Sequence, residues 1–460
     1  MTLANRVASA PPADGVAAVK ASLGDIPHSD DKAALRRKSR DFFWFSPILK
    51  EELEGRHAEL VITPRDREEL VRVAALCARH RVPLTVRGGG TGNYGQAVPL
   101  QGGVVLDMGY FNAVRWAVPG AGRFEAGARL LEIDRALRPE GWELRFHPST
   151  RAQATIGGFV AGGAGGVGSC TWGQLSDRGA VIAVEILTVE EEPRFIELRD
   201  RDALKVMHAY GINGIITEVE MPLAPWQPWA ERVFAFPSLE AAARFGYALT
   251  ATEGIAKKLV SIHDGQIPPM LKRLSPFVPE GHAMAILMVA EPQAPIVEEM
   301  AEELGGVTVY RRSCEEAEAA AFEGKGDMPP LYEYTWNHTT LYAMKARPGT
   351  TYLQVRYPAN REIEIVRDLS GRLGDEVVFH LEFQRRFGRV FVSSLPLVRY
   401  TTRERLEEIV RVIEAAGAEH SNPHTYKLSD AGWKKVDAPQ LAFKRQADPH
   451  ALMNPGKLAS

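Results

Sequence analysis

A chain of 460 residues with 45% hydrophobic and 25% charged residues has the length for two or three domains and an ordinary globular interior. Its 55 Lys and Arg against 58 Asp and Glu leave a net charge of −3, which argues against a nucleic-acid or other polyanion partner. Cys77, Cys170 and Cys314 form no CxxC, so neither a disulfide framework nor a zinc ribbon is indicated, and no apolar run approaches the roughly 20 residues that span a bilayer.

Residues 1–28 are rich in Ala and Pro and read as loosely ordered or as a short helix. Met1–Asp14 lacks the apolar core of a secretory signal, so a cytoplasmic location is expected, with contact at a membrane surface left open. Arg36-Arg37-Lys38-Ser39-Arg40 reads as a solvated helix face running into the packed cluster Phe42-Phe43-Trp44-Phe45. Thr63-Pro64-Arg65-Asp66 predicts an N-cap with Pro at the first helical position, and Leu70, Val73, Ala74 and Cys77 follow at helical spacing to about Arg81. The apolar run 82–86 predicts a strand into Arg87-Gly88-Gly89-Gly90-Thr91-Gly92-Asn93-Tyr94-Gly95-Gln96, and a second strand follows at 104–106. Consecutive glycines between strands let backbone N–H groups converge on an anion. A second Gly-rich segment spans Thr155 to Gly166, so the chain is expected to wrap a large phosphorylated cofactor. A Rossmann reading fails because Gly163-Ala164-Gly165-Gly166 does not supply a GxGxxG between a strand and a helix with a later acidic residue at the right spacing.

Leu130–Leu137 predicts a helix closed by Pro139 and Gly141, and Val181–Val189 a buried strand. Three prolines and two tryptophans within 222–229 mark a domain boundary. Beyond it, strands are predicted at 232–236, 283–289, 351–357, 377–379 and 389–393. Helices are predicted at 239–250, 295–304, 361–373 and 403–416. The expected division is an N-terminal segment 1–49, a cofactor domain 50–225, a cap domain 226–420 and a C-terminal segment 421–460 returning to the cofactor domain.

Taken together these motifs resemble the vanillyl-alcohol oxidase / p-cresol methylhydroxylase superfamily of FAD flavoproteins. The resemblance rests on the Arg87–Gln96 loop, His147-Pro148-Ser149-Thr150, Thr155-Ile156-Gly157-Gly158, Ala164-Gly165-Gly166, Trp172-Gly173, Gly214-Ile215-Ile216-Thr217-Glu218 and Met453-Asn454-Pro455-Gly456-Lys457-Leu458. Within it, the chain most resembles glycolate-oxidase D-subunit and D-lactate-dehydrogenase flavoproteins. It departs from them in lacking their His-Gly-Asp-Gly-Asn-x-His metal motif. Pro423-His424-Thr425-Tyr426-Lys427 is instead similar to a segment of aldonolactone and alditol oxidases. The implied fold is α+β: a two-part FAD-binding domain plus a cap with a mixed or antiparallel sheet covered by helices.

The resemblance implies FAD on the Arg87–Gln96 loop, with Pro148, Ser149, Thr155, Gly157, Gly158, Gly162, Gly165, Gly166, Gly214, Ile216 and Asn454 as further cofactor residues. The first loop has no His and Cys170 is out of line for attachment, so non-covalent FAD is expected. Alcohol oxidation needs a base and, for an acid substrate, a cation. His424 and Lys427 are first candidates, and His338 lies in a polar cluster, Tyr334–Thr340, read as strand-like. Alternation over Thr351–Tyr357 puts Tyr352, Gln354 and Arg356 on one face, with Arg356 as the carboxylate anchor. His380 and Glu382 share a strand face, read as a buried hydrogen bond ahead of a metal site; no metal is expected.

The leading expectation is FAD-dependent oxidation of a small-molecule 2-hydroxy acid. Oxygen, a quinone or a carrier protein are all compatible as electron acceptor, and a homo-oligomer is compatible too. Oxidation of a sugar-derived alcohol or aldonolactone, and a non-catalytic FAD-binding subunit, stand as alternatives.

Overall fold

The computed structural model describes residues 13–163, 165–430 and 436–458. Residues 1–12 of the N-terminal stretch and Ala164 of the second Gly-rich segment lie outside the described residues, and Ala13–Ser22 is a short helix.

The first sheet orders its strands His28–Ser29, Leu60–Ile62, Val104–Asp107, Leu84–Arg87, the last three being parallel. The helix Arg67–Arg79 makes the crossover, and its buried Leu70, Val73, Ala74 and Cys77 pack against Leu60, Leu84 and Leu106. Burial of Leu70 and of Val73 contributes about 1.5–3 kcal/mol each. The helix begins later than the Thr63-Pro64 signal predicts. Asp66 is the cap, accepting the Glu69 N–H at 2.9 Å. Thr63 is still extended, with its N–H on Pro27 O at 2.8 Å. The helix also stops before Arg81, whose φ is 54°.

A six-stranded sheet follows, ordered Val114–Val118, Ala121–Glu125, Ile215–Pro225, Ala183–Leu187, Phe195–Arg199, with Trp142–Leu144 beside the far end of Ile215–Pro225. The helices Leu130–Leu137 and Ile156–Gly162 pack on it around Phe124, Leu144 and Ile186. The C-terminal segment returns to the first sheet: Leu84 N–H donates to Leu452 O and Asn454 N–H to Leu84 O, both at 2.8 Å.

The cap is built on an eight-stranded sheet, ordered Val307–Arg312, Trp229–Phe236, Ala283–Ala290, Lys257–His263, His380–Arg386, Arg389–Ser394, Gln354–Arg356, Glu419–Ser421. Every pairing is antiparallel. Both faces of its centre are buried, which is why Ala283–Ala290 reads as one continuous apolar run. Phe234, Phe236 and Leu287 point to a layer containing Leu369 and Ile409, whereas Val233, Ala235 and Ile286 meet Leu331, Tyr332 and Tyr334.

Two predicted strands are corrected. Thr351–Tyr357 divides into Thr350–Tyr352, in a three-stranded sheet with Leu397–Arg399, and Gln354–Arg356 in the large sheet. The change of sheet falls at Leu353, whose N–H turns to Pro396 O at 3.0 Å. Tyr334–Thr340 is not a strand. A short 3-10 turn, Leu331–Tyr334, leads into the helix Asn337–Ala346. Thr335 and Thr339 hydroxyls donate to Tyr332 O at 2.9 Å and Tyr334 O at 2.7 Å, local bonds that compete with sheet pairing.

The hairpin joining His380–Arg386 to Arg389–Ser394 turns on Phe387 and Gly388, with φ of 50° and 77°. A two-residue turn with both φ positive favours Asn-Gly. Phe387 is 77% exposed, and the Arg386 guanidinium 5.5 Å from its ring is little packing to offset its strain. Phe387→Asn is therefore expected to stabilise by about 1 kcal/mol, read as a rise in Tm of roughly 1–2 °C. An unchanged or lower Tm would refute this reading of the turn. Among the described residues, no helix is long and apolar enough to cross a membrane.

Candidate functional site

The two Gly-rich segments meet face to face. At Gly88 an added Cβ would stand 2.1 Å from Thr155 Oγ1, so only glycine allows this approach. Thr155 in turn caps the helix Ile156–Gly162, its hydroxyl accepting the Gly158 N–H at 3.3 Å. Between the segments and the cap sheet lies a cavity of about 520 Å³. Gly88 to Tyr94, Gln96, Pro148, Ser149, Thr155, Gly157, Gly158, Gly162, Gly165, Gly166, Gly214 and Ile216 all line it.

Three predicted cofactor residues stand behind the wall. Arg87 donates to Lys38 O at 2.9 Å and Arg40 O at 2.5 Å, tying the N-terminal segment to the loop. Gly95 O accepts from the buried Lys457 ammonium. Asn454 donates to Gln96 O at 2.8 Å and Tyr210 O at 2.6 Å, bracing the loop from the C-terminal segment.

Of the predicted catalytic residues, Arg356 lines the cavity. Its guanidinium lies 5.4 Å over the Phe391 ring. Burial, and after it the neighbouring Arg386, push it down to about 10. The other four do not line it. Tyr352 is fully buried, its ring 6.4 Å from Phe45 and 6.1 Å from His424. His424 bonds Ser46 through Nδ1 at 2.8 Å, and burial pushes it down to about 3, so it is neutral. Lys427 is half-buried on the same loop, which reaches the cavity instead through Ser421 and Asn422. His338 leans on the Ser149 backbone, and burial pushes it down to about 4.

His380 and Glu382 are hydrogen-bonded at 2.7 Å and buried, with Ser261 and the Trp336 N–H also on Glu382 Oε1 at 3.0 and 2.7 Å. Burial pushes Glu382 up to about 8 and His380 down to about 3. Among the described residues no group of three metal-ligating side chains forms. The pair fixes Trp336, which lines the cavity at a φ of 54°.

Sequence reasoning missed Asp41, Gln174, His208, Tyr210, Gln384, Arg386 and Ser393, all on the wall. Gln384 and Arg386 were reachable by extending the alternation already visible at His380 and Glu382. Asp41 carries no local signal, yet it orders the loop, accepting N–H groups of Phe43 at 3.0 Å and Ala97 at 3.3 Å. Burial pushes its carboxyl up to about 6.

Side chains bridge the cavity between the domains. Asn337 Nδ2 donates to Asn93 Oδ1 at 3.2 Å, Gln174 Nε2 to Gln384 Oε1 at 2.9 Å, and Gln354 Nε2 to the Tyr94 hydroxyl. The cradle itself fits a flat, elongated cofactor. Gly158 and Gly162, one turn apart, both line the cavity, and an added Cβ would meet nothing nearer than 3.0 Å at Gly158 and 3.9 Å at Gly162. Gly157 lines the cavity through its backbone alone, since its Cβ would point the other way, 2.6 Å from Ala126 Cβ.

Comparison with known proteins agrees with this geometry. Residues 58–192 match the family model described as an FAD binding domain. The chain is 33% identical to glycolate oxidase subunit GlcD of Escherichia coli over 192 residues, 40% of this chain and 38% of that one. It is 35% identical to D-2-hydroxyglutarate dehydrogenase of Pseudomonas putida over 131 residues, 26% of this chain and 12% of that one. The matches thus span under half the length of these relatives. Among solved structures, an alkyldihydroxyacetonephosphate synthase superposes with a TM-score of 0.71 at 16% identity, covering 99% of this chain and 88% of that one. The chain therefore binds FAD through a domain at residues 58–192, and its whole fold is that of the alkyldihydroxyacetonephosphate synthase structure.

Proposed function

We propose that the protein oxidises the hydroxyl-bearing carbon of a 2-hydroxy acid, with FAD held non-covalently. The observation that carries this reading is Arg356: a half-buried guanidinium on the cap wall of the same cavity whose other wall is the glycine cradle. Bound FAD supplies the two-electron acceptor for the carbinol C–H bond. The chain's own residues hold and orient the two reactants. Backbone around Gly88–Gly92, with Gly158 and Gly162, would hold the cofactor. Arg356 would take the substrate carboxylate in a two-point hydrogen bond, which fixes orientation as well as affinity. The Asn337–Asn93 and Gln354–Tyr94 bonds hold the cap wall in place, and Trp336 excludes water from the cavity. Relatives named as acting on glycolate and D-2-hydroxyglutarate support the substrate class.

Oxidation of a sugar-derived alcohol drew its support from His424 and Lys427, and neither lies on the cavity wall. A non-catalytic role is disfavoured by the cation and amides that face the cradle. Non-covalent attachment is supported by Cys170, which is 1% exposed, bonds Lys257 O at 3.8 Å, and has its thiol pushed up to about 12 by burial.

The test is the visible spectrum of the purified protein. Acid denaturation is expected to release FAD into the supernatant; flavin retained on the pellet would refute non-covalent binding. Anaerobic addition of glycolate or of D- or L-lactate is then expected to bleach the flavin band. A band that resists every 2-hydroxy acid but yields to sugar alcohols would overturn the substrate class. Reoxidation rates with oxygen and with a quinone identify the electron acceptor.

A further inference from the structure

The glycine loop has a front and a back. On the front, Gly88 to Asn93 line the cavity, and none of their N–H groups donates to a protein group among the described residues. On the back lie two cations. An added Cβ at Gly90 would stand 2.1 Å from Arg87 Nη2, which sets that guanidinium against the loop. The Lys457 ammonium, on the C-terminal segment, is fully buried, donates to Gly95 O and lies 5.5 Å from the Tyr426 ring. A trans peptide opposes its C=O and N–H, so the Gln96 N–H points away from Lys457. Arg87 and Lys457 are held by backbone carbonyls, and neither forms an ion pair among the described residues. The carboxylate whose field reaches both is Asp41, on the cavity wall; Asp107, which also acts on Arg87, is paired with Lys38. Two buried cations against one carboxylate leave positive charge behind the loop, and buried charge is costly until it is compensated.

We infer that Lys457, with Arg87, supplies the counter-charge for the FAD diphosphate from behind the loop, so that the C-terminal segment completes the cofactor site and FAD binding is tied to a proton. This rests on the placement of the cofactor on Gly88–Gly92 and is independent of the substrate class. Burial pushes Lys457 down to about 7, and the Asp41 carboxylate opposes that shift. Above about 7 the free protein therefore holds Lys457 increasingly as the neutral amine. A bound diphosphate, an anion throughout this range, favours the ammonium. One proton then moves from the buffer to Nζ as FAD binds, and affinity falls as pH rises. The other groups around this corner keep their state between about pH 7 and 9. Asp41, pushed up to about 6 by burial, is ionised. Tyr94, Tyr210 and Tyr352 are pushed up by burial and stay neutral. Arg87 is pushed down by burial but stays a cation. His208, 5.6 Å from the Tyr210 ring, is a further titratable group on the wall.

The FAD-loaded protein is diluted at fixed ionic strength at several pH values between about 7 and 9, and the Kd is read from the fluorescence of released FAD. The wild-type Kd is expected to rise with pH, approaching about tenfold per unit, the slope of one proton taken up on binding. Lys457→Met keeps the length of the buried chain and removes the charge. Its Kd should be about 10-fold higher at pH 7, the scale of one charged contact, and flat with pH. A wild-type Kd that does not change over this range overturns the inference whether or not the variant folds. A weakened Lys457→Met protein that keeps the full slope also overturns it: Lys457 would then be only a tether for Gly95, and the proton would belong to Asp41 or His208. An unchanged Kd in the variant would show that the diphosphate lies elsewhere. No substrate enters these measurements, so a slope that Lys457→Met removes stands even in a protein whose flavin no 2-hydroxy acid bleaches.

Discussion

Gly162→Leu is expected to yield a folded, colourless protein whose affinity for FAD is weakened about 100-fold, the cost of forcing a branched side chain into space the ligand must fill. The argument is local. Gly162 is the last residue of the helix Ile156–Gly162, where any L-residue is better tolerated than glycine. An added Cβ there meets no protein atom nearer than Gln96 Nε2 at 3.9 Å, so the fold accepts it. The side chain enters the cavity because that is where the empty space is. Gly157→Leu is the control with the opposite signature. Its Cβ would press on Ala126 Cβ at 2.6 Å, against the six-stranded sheet, and should lower stability before it touches cofactor binding. Circular dichroism separates fold from binding, and titration with FAD gives the affinity. A Gly162→Leu protein that purifies yellow with unchanged affinity would show that the cradle is not where the cofactor lies.

The contrast between these two glycines marks where sequence reasoning reached and where it stopped. The Gly-rich spacing announces a backbone surface, because glycine is conspicuous whichever way it faces. Which glycine would aim a side chain into the cavity depends on the helix phase of Ile156–Gly162 and on Ala126 behind it, which one-dimensional spacing does not contain. Arg356 was legible because a strand alternates with period 2. Tyr352 was misplaced by the same rule, since the chain changes sheets at Leu353 and the alternation does not carry across. His424 looked catalytic from its neighbours Pro423 and Lys427. Its position was decided by Ser46, 378 residues earlier, through a 2.8 Å hydrogen bond. The polar run Tyr334–Thr340 reads as a strand by composition, but threonine hydroxyls bonding back to nearby carbonyls favour a turn and helix, and only the folded backbone reveals them. Asp41 is the limiting case: a single acidic residue ahead of an aromatic cluster, given meaning by the Ala97 and Phe43 N–H groups that converge on it.

Arg356→Met should lower kcat/KM for a 2-hydroxy acid by about 100-fold or more while leaving FAD affinity unchanged, since removing one partner of a partly buried charge pair costs on the order of 2–5 kcal/mol. Methionine keeps most of the side-chain length over Phe391, so lost packing is a small part of that effect. The pH profile supplies a second, independent signature. Substrate carboxylates are ionised above about pH 4. Arg356 carries its charge below about 10, lower than an ordinary arginine because of burial and the nearby Arg386. Between those limits the attraction is constant; above about 10 Arg356 loses its proton, and kcat/KM, which reports the free enzyme, should fall tenfold per unit. Arg356→Met has no proton to lose and should lack that falling limb. A variant with low activity and an unchanged alkaline limb would mean that the residue shapes the wall without holding the substrate. A variant with wild-type kcat/KM would remove the anchor on which the 2-hydroxy acid reading depends. The two variants separate the walls of one cavity: Gly162→Leu should weaken cofactor binding about 100-fold and lower turnover with it, and Arg356→Met should leave a fully flavinated protein that reduces its flavin slowly.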